Sequence, residues 1–260
     1  MSEIITIANQ KGGVGKTTTA INLAASLSMM GKNVLIIDLD PQANATTGLG
    51  FNRSDYEFNV YHVFTGRKRF SEIILKSELE NLSIAPSNIA LVGIEQEFSN
   101  QAKDFKLILK SKLAEIEGKY DFIIIDSPPA LGNITVNALA ASHSVIVPIQ
   151  CEFFALEGMA LILNTIKIIK QTINPKLTIK GFLPTMYSAQ NNLSKETVLN
   201  LKQHFENKLF KSDDMEYGFV VIPRNVKLAE SPSFGKPINL YDSKSIGCQA
   251  YQSLANSIME

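Results

Sequence analysis

Two kinds of hydrophobic segment alternate along this chain. Short, nearly unbroken apolar runs lie at residues 4–8, 33–37, 122–125 and 144–149. Runs without polar alternation read as strands covered on both faces, which is the habit of parallel sheets. Longer stretches at 20–30, 134–141, 159–172, 193–209 and 243–258 carry apolar residues at helical spacing. Strand and helix signals in alternation predict an α/β fold: a single doubly wound, mostly parallel sheet flanked by helices and built by right-handed crossovers. Residues 81–85 and 178–184 add two shorter strands, and 71–76 and 104–116 read as helices. The polar stretch 93–103 is expected to be mobile. Nothing resembles an interdomain linker, repeat or low-complexity segment, so residues 1–260 are taken as one domain.

The first apolar run leads into Lys11-Gly12-Gly13-Val14-Gly15-Lys16-Thr17-Thr18, and a helical stretch follows. Strand, glycine-rich loop and helix in that order are the context of a phosphate-binding loop. Glycines let backbone N–H groups approach phosphate oxygens, and the helix N-terminus adds a partial positive charge. Lys16 supplies a mobile cation, and the Thr17 hydroxyl is suited to a magnesium ion. The usual pattern of a glycine five residues before Gly15 fails, because Gln10 stands there.

Two further runs end in carboxylates. The run 33–37 passes into Asp38-Leu39-Asp40-Pro41-Gln42-Ala43-Asn44, and the run 122–125 ends at Asp126-Ser127-Pro128-Pro129. Carboxylates at the C-terminal ends of parallel strands lie where α/β sheets bind ligands, although a strand-ending aspartate can equally be a cap.

Composition sets limits. Twenty-five basic residues balance twenty-five acidic ones, so net charge signals no polyanion partner, and any nucleic-acid surface must be a local patch. Cys151 and Cys248 form no close-spaced pair, and the three histidines are scattered, so no disulfide framework or metal cluster is indicated. No uncharged apolar run reaches the roughly 18 residues of a membrane span, and the start of the chain lacks a cationic signal-peptide region. A cytoplasmic location is expected.

The loop with its second lysine, Lys11, resembles the deviant Walker A motif of the ParA, Soj and MinD group of ATPases. The Asp38 to Asn44 segment, the strand ending at Asp126, the segment 150–158 and the stretch 222–238 are similar to further motifs of that family, in the same order. The match covers residues 4–50, 120–160 and 220–250 and looks like a ParA/Soj-type chromosome-partitioning ATPase. This resemblance implies ATP and Mg2+ as ligands. It gives catalytic roles to Lys11, Lys16 and Asp40, with Lys11 reaching the partner's phosphates in a nucleotide-sandwich homodimer and Asp40 orienting the attacking water. Asp126 would hold the metal through water, Thr17 directly, and Pro223, Arg224 and Asn225 would close over the adenine.

The resemblance also implies non-specific DNA as a ligand, a ParB/Spo0J-like partner that stimulates hydrolysis, and a place on the nucleoid. Arg224, Lys227, Lys236 and Lys244 are the candidate DNA contacts. Where relatives often carry Asp-x-Arg after Thr-Met-Tyr, this chain has Ser188-Ala189-Gln190, and residues 211–219 look longer and more acidic than the usual connection. Both put DNA affinity in question. A MinD-like ATPase cycling on membranes needs a basic amphipathic C-terminal helix, whereas the stripe Ile246, Ala250, Leu254, Ile258 with Lys244 suits a core-docked one. A redox ATPase like the nitrogenase iron protein needs a cysteine pair that is absent. An orphan relative positioning another cargo stays open.

Overall fold

The computed structural model describes residues 2–97, 103–152 and 155–260, with the side chains of 95–96, 103–104 and 155–157 left aside. Seven strands form one sheet: β1 (Glu3–Ile7), β2 (Val34–Asp38), β3 (Leu75–Lys76), β4 (Leu82–Ala85), β5 (Phe122–Asp126), β6 (Ser144–Gln150) and β7 (Thr178–Thr185). Their order is β3-β4-β2-β5-β1-β6-β7, and every pairing is parallel except β3 against β4 at the edge. The helices are α1 (Lys16–Met29), α2 (Asn44–Gly48), α3 (Val60–Phe64), α4 (Val92–Glu97), α5 (Ile108–Leu113), α6 (Asn133–Ala141), α7 (Ala155–Thr172), α8 (Asn192–Phe205), α9 (Val226–Glu230), α10 (Ile238–Tyr241) and α11 (Ile246–Met259).

The apolar runs are unbroken because successive side chains enter two different cores. Along β2, Val34 and Ile36 pack on the side of α1 and α11, while Leu35 and Ile37 pack on the side of α3 and α5. Phe122 and Ile124 alternate with Ile123 and Ile125 in the same way on β5. Each face must therefore be apolar, as strands covered on both sides require. A third core joins β6 and β7 to α7 and α8.

Some elements depart from their expected form. Residues 71–76 do not make a helix: a 3-10 turn at Phe70–Glu72 is followed by β3, whose Leu75 pairs with Ile84. Six residues containing Ile73 and Ile74 are too few to sustain a helix against a free sheet edge. The 104–116 stretch is a short helix between two 3-10 segments. The stretch expected to be mobile is partly helical, since 93–97 belong to α4, and 98–102 lie outside the described residues. Helix α1 begins at Lys16, directly after the glycine-rich loop, and from Thr19 to Ser28 it is buried on every side, being held between the sheet and α11. Helix α11 docks through Cys248, Tyr251, Leu254, Ala255 and Ile258, whereas Ile246, assigned to that stripe, is 56% exposed. Ala250, Leu254 and Ile258 of the expected stripe are buried, and Gly247 lies against Leu228, where a Cβ would come within 2.7 Å of its Cγ.

The sheet order explains how distant segments converge. Strands β2, β5 and β1 are neighbours, and Asp126 pairs in register with both Asp38 and Ile7. Three loops, the first and last more than a hundred residues apart in sequence, thus leave adjacent strands at one edge, the edge where open α/β sheets take ligands.

Candidate nucleotide-binding site

The glycine-rich loop is fastened at three points. The Asn9 side chain donates to the Pro148 carbonyl at 2.7 Å and accepts the Lys11 N–H at 3.0 Å. The Thr185 hydroxyl, from the end of β7, donates to the Val14 carbonyl at 2.9 Å. Lys16 folds back so that its ammonium donates to the Lys11 carbonyl at 3.2 Å. Gly15, at φ 88°, turns the chain into α1, and no side chain among the described residues caps that helix. Its first turn therefore presents free N–H groups and the positive end of the helix dipole, which suits an oxyanion.

The ionisable groups divide their work. Asp38 is fully buried, and its oxygens are occupied by the N–H of Asp40 and by the N–H and hydroxyl of Thr46. Burial pushes its carboxyl up to about 6 against those hydrogen bonds. Asp126 is equally buried, yet among the described residues neither of its oxygens has a hydrogen-bond partner of good geometry. Burial, then the charges of Asp38 and Asp40, raise its pKa well above the usual carboxylate range, and the neighbouring Thr17 hydroxyl and Lys16 ammonium oppose this. Unpartnered buried carboxylate oxygens are rare and call for a cation. With the Thr17 hydroxyl beside them they form an all-oxygen set that fits Mg2+. Burial lowers the Lys16 pKa, with Asp126 and Asp40 acting in the other direction. Asp40 is 8% exposed, and its Oδ1 accepts the Gln42 N–H at 2.9 Å.

Beside the loop lies a cleft of about 250 Å³, lined by Gly15, Thr18, Met186, Pro223, Asn225 and Tyr251 among others. Pro223 and Arg224 are held there because the Arg224 N–H donates to the Tyr187 carbonyl and Tyr187 N–H to Ile222. Asn225 caps α9 through the Leu228 N–H. All three expected base-binding positions thus fall in one cleft with the loop. Lys11 is half-exposed and makes no ion pair among the described residues.

The candidate DNA contacts are less free. Arg224 pairs with Glu152 at 3.1 Å, Lys227 with Glu230 at 3.0 Å, and Lys236 with Glu78 at 3.7 Å. Among the described residues Lys244 has no ion pair. The cluster Arg67-Lys68-Arg69 is also engaged, with Lys68 on Glu72 and over the Phe58 ring, and Arg67 over Tyr61. Residues 211–219 fold back on themselves, Lys211 bridging to Phe219, and with α11 they line a separate cleft of about 520 Å³.

Sequence reasoning missed Asn9, Thr185 and Met186. Thr185 carried no signal of its own, because its partner Val14 is far away in the chain. The tie between Asn9 and Pro148 is equally long-range.

A family model described as an AAA domain matches residues 2–179. The sporulation initiation inhibitor protein Soj of Bacillus subtilis (strain 168) is 45% identical over 258 residues, covering 99% of this chain and 98% of that protein. The chromosome partitioning protein ParA of Myxococcus xanthus (strain DK1622) is 43% identical over 261 residues, covering 100% and 89%. The chain belongs to the ParA/Soj family. A solved structure of cobyrinic acid a,c-diamide synthase from Mycobacterium smegmatis, with bound ADP and magnesium, superposes with a TM-score of 0.84 at 34% identity over 100% of this chain and 94% of that one. The Pyrococcus furiosus cell division ATPase MinD shares the fold with a TM-score of 0.79 at 24% identity over 100% and 99%. No helix among the described residues is long and apolar enough to cross a membrane.

Proposed function

We propose that this ParA/Soj chain is an ATP-hydrolysing partitioning switch. ATP binds at the loop 11–18 with its base in the cleft of Pro223, Arg224 and Asn225. Two copies then close face to face, the dimer binds DNA without sequence preference, and a ParB/Spo0J-like partner stimulates the hydrolysis that resets it. One observation carries the reading: Lys16, Asp40 and the buried carboxylate of Asp126 converge at a helix N-terminus that no side chain among the described residues caps. That is an array for phosphate charge, a cation and a polarised water.

Phosphoryl transfer to water needs charge neutralisation, alignment and an oriented nucleophile more than covalent help. The loop N–H groups and Lys16 hold the phosphates, and Lys11 reaches across to the second copy. Thr17 and Asp126 are the residues that would hold magnesium, which neutralises charge on the terminal phosphates when bound. Asp40 accepts a hydrogen bond from the attacking water and orients it in line. Slow turnover is expected, because a switch must persist in its ATP state.

Asp40→Ala and Lys16→Ala test this in ATP-binding, dimerisation and hydrolysis assays. Asp40→Ala should bind ATP and dimerise without hydrolysing; Lys16→Ala should lose productive binding. Hydrolysis at the parental rate by Asp40→Ala would remove Asp40 from the mechanism.

A further inference from the structure

Asp38 takes part in no step above, yet its side chain is the anchor of the turn that carries Asp40. The strand ladder with β4 ends at Ile37 and Ala85. Beyond Asp38 the backbone has few supports: Leu39 N–H donates to the Asp126 carbonyl, and Ala43, at φ 56°, donates to the Asp40 carbonyl. Asp40 Oδ1 itself accepts the Gln42 N–H, the Thr47 N–H and hydroxyl close on the Ala43 carbonyl, and three further ties run through Asp38. Its Oδ1 accepts the Asp40 N–H at 3.0 Å, and its Oδ2 accepts the Thr46 N–H at 2.9 Å and the Thr46 hydroxyl at 2.7 Å.

The Thr46 hydroxyl then accepts the Ser87 N–H at 3.1 Å, and the Ser87 carbonyl accepts the Tyr56 hydroxyl at 2.6 Å. Asp38, Thr46 and Ser87 are all buried, while Tyr56 is half-buried and reaches them from a surface turn. A simple turn cap would explain the two backbone N–H bonds. It leaves the hydroxyl of Thr46 unexplained, because closing the turn does not require it. That hydroxyl donates to a buried carboxylate while accepting an amide, so its direction is fixed at both ends, and a hydrogen bond to a charged acceptor in a dry site is strong and directional. A small displacement of a water-orienting group costs rate steeply.

We propose that Thr46 and Tyr56 are positioning residues for Asp40, acting through Asp38: the relay Tyr56, Ser87, Thr46, Asp38 holds the turn where the Asp40 carboxylate meets the attacking water. The proposal rests on the role given to Asp40 above. A cleft of about 270 Å³, lined by Gln42, Thr46, Arg53, Tyr56 and Asn88 among others, opens beside this relay.

The test is single-turnover hydrolysis of magnesium ATP by the full chain, with ATP affinity measured beside it. Thr46→Val removes the hydroxyl at constant shape, Thr46→Ser restores it, and Tyr56→Phe cuts the relay at its surface end. Thr46→Val should slow hydrolysis about ten-fold with ATP affinity unchanged. Thr46→Ser should recover most of that rate, and Tyr56→Phe should lose about three-fold. If Thr46→Val is too unstable to assay, Tyr56→Phe carries the same readout from a half-buried position. Unchanged rates in both Thr46→Val and Tyr56→Phe, or a rate loss that follows ATP affinity, overturn the proposal. With Asp40→Ala inactive, such a result leaves the role of Asp40 standing. An Asp40→Ala protein that hydrolyses normally overturns both.

Discussion

Gly235 packs so closely on Gly50 that a Cβ added to Gly235 would lie 2.5 Å from the Gly50 Cα. Gly235 is also at φ 65° and Gly50 at φ 87°, so neither backbone suits another residue. This contact joins the end of the α2 segment, which follows Asp40, to the segment after α9, which borders the base cleft. Gly235→Ala combines an unfavourable φ with a backbone clash and should destabilise the fold by more than about 1 kcal/mol. Urea unfolding is the check, with ATP affinity expected to fall alongside. An unchanged midpoint would mean the two segments separate at no cost.

A second prediction sets stability against function at Asp126. Its buried carboxylate faces Asp38 across paired strands and has no hydrogen-bond partner of good geometry among the described residues. Asp126→Asn removes that charge at nearly constant volume. The protein without nucleotide should gain about 1 kcal/mol of stability, because a buried carboxylate beside the charges of Asp38 and Asp40 is costly even with Thr17 and Lys16 nearby. Magnesium-dependent hydrolysis should be lost. Thermal unfolding and ATPase assays report the two effects separately, and a lower melting temperature would contradict the electrostatic reading.

The strands and the loop were legible in the sequence because each depends on a local pattern. Continuous runs such as Val34 to Ile37 mean burial on both faces, and Gly12, Gly13 and Gly15 before Lys16 mean a phosphate loop in that context. The role of Asp38 was not legible. The family resemblance singled out Asp40 for the water but left Asp38 without a role, and the hydrogen bonds from Thr46, eight residues on, are what mark Asp38 as a turn anchor. The edge strand β3 was missed for a similar reason, since Leu75 is held by pairing with Ile84 rather than by any pattern of its own. The convergence of the motifs was implied by the fold class, but which strands were adjacent was not.

The cysteines should be inert in the folded protein. Cys151 is 1% exposed, and burial raises its thiol pKa to about 12; Cys248 is fully buried, and its pKa is raised for the same reason. Thiolate is the reactive form, so raised values leave almost none at neutral pH. Iodoacetamide at pH 8 should leave both unmodified in native protein and label both in denaturant, as mass spectrometry will show. Labelling of Cys151 without denaturant would mean that the end of β6 opens readily.

The last prediction concerns DNA and the carboxylates beside the candidate contacts. Lys227 is held by Glu230 and lies 5.6 Å from the centre of the Tyr241 ring, and Lys236 is 3.7 Å from Glu78. Exposed pairs of this kind are weak, so phosphates can compete for the lysines, but each carboxylate also repels the phosphate. Such contacts position a protein on the backbone without reading bases. If one subunit neutralises about three phosphates, log affinity falls with log salt at a slope near −2.7, and a two-fold dimer should approach −5.4. ATP would then control DNA binding by controlling dimerisation. Lys11→Ala should bind ATP yet neither dimerise nor bind DNA. Charge reversal at Lys227 or Lys244 should weaken binding to all sequences alike and leave ATP-dependent dimerisation intact. Glu230→Gln frees Lys227 and should tighten binding several-fold at low salt, an effect that shrinks as salt rises. DNA binding against salt in the ADP and ATP forms decides the matter. Equal affinity and equal slope in the two states would rule out dimerisation as the control, and weaker binding by Glu230→Gln would remove Lys227 from the DNA surface.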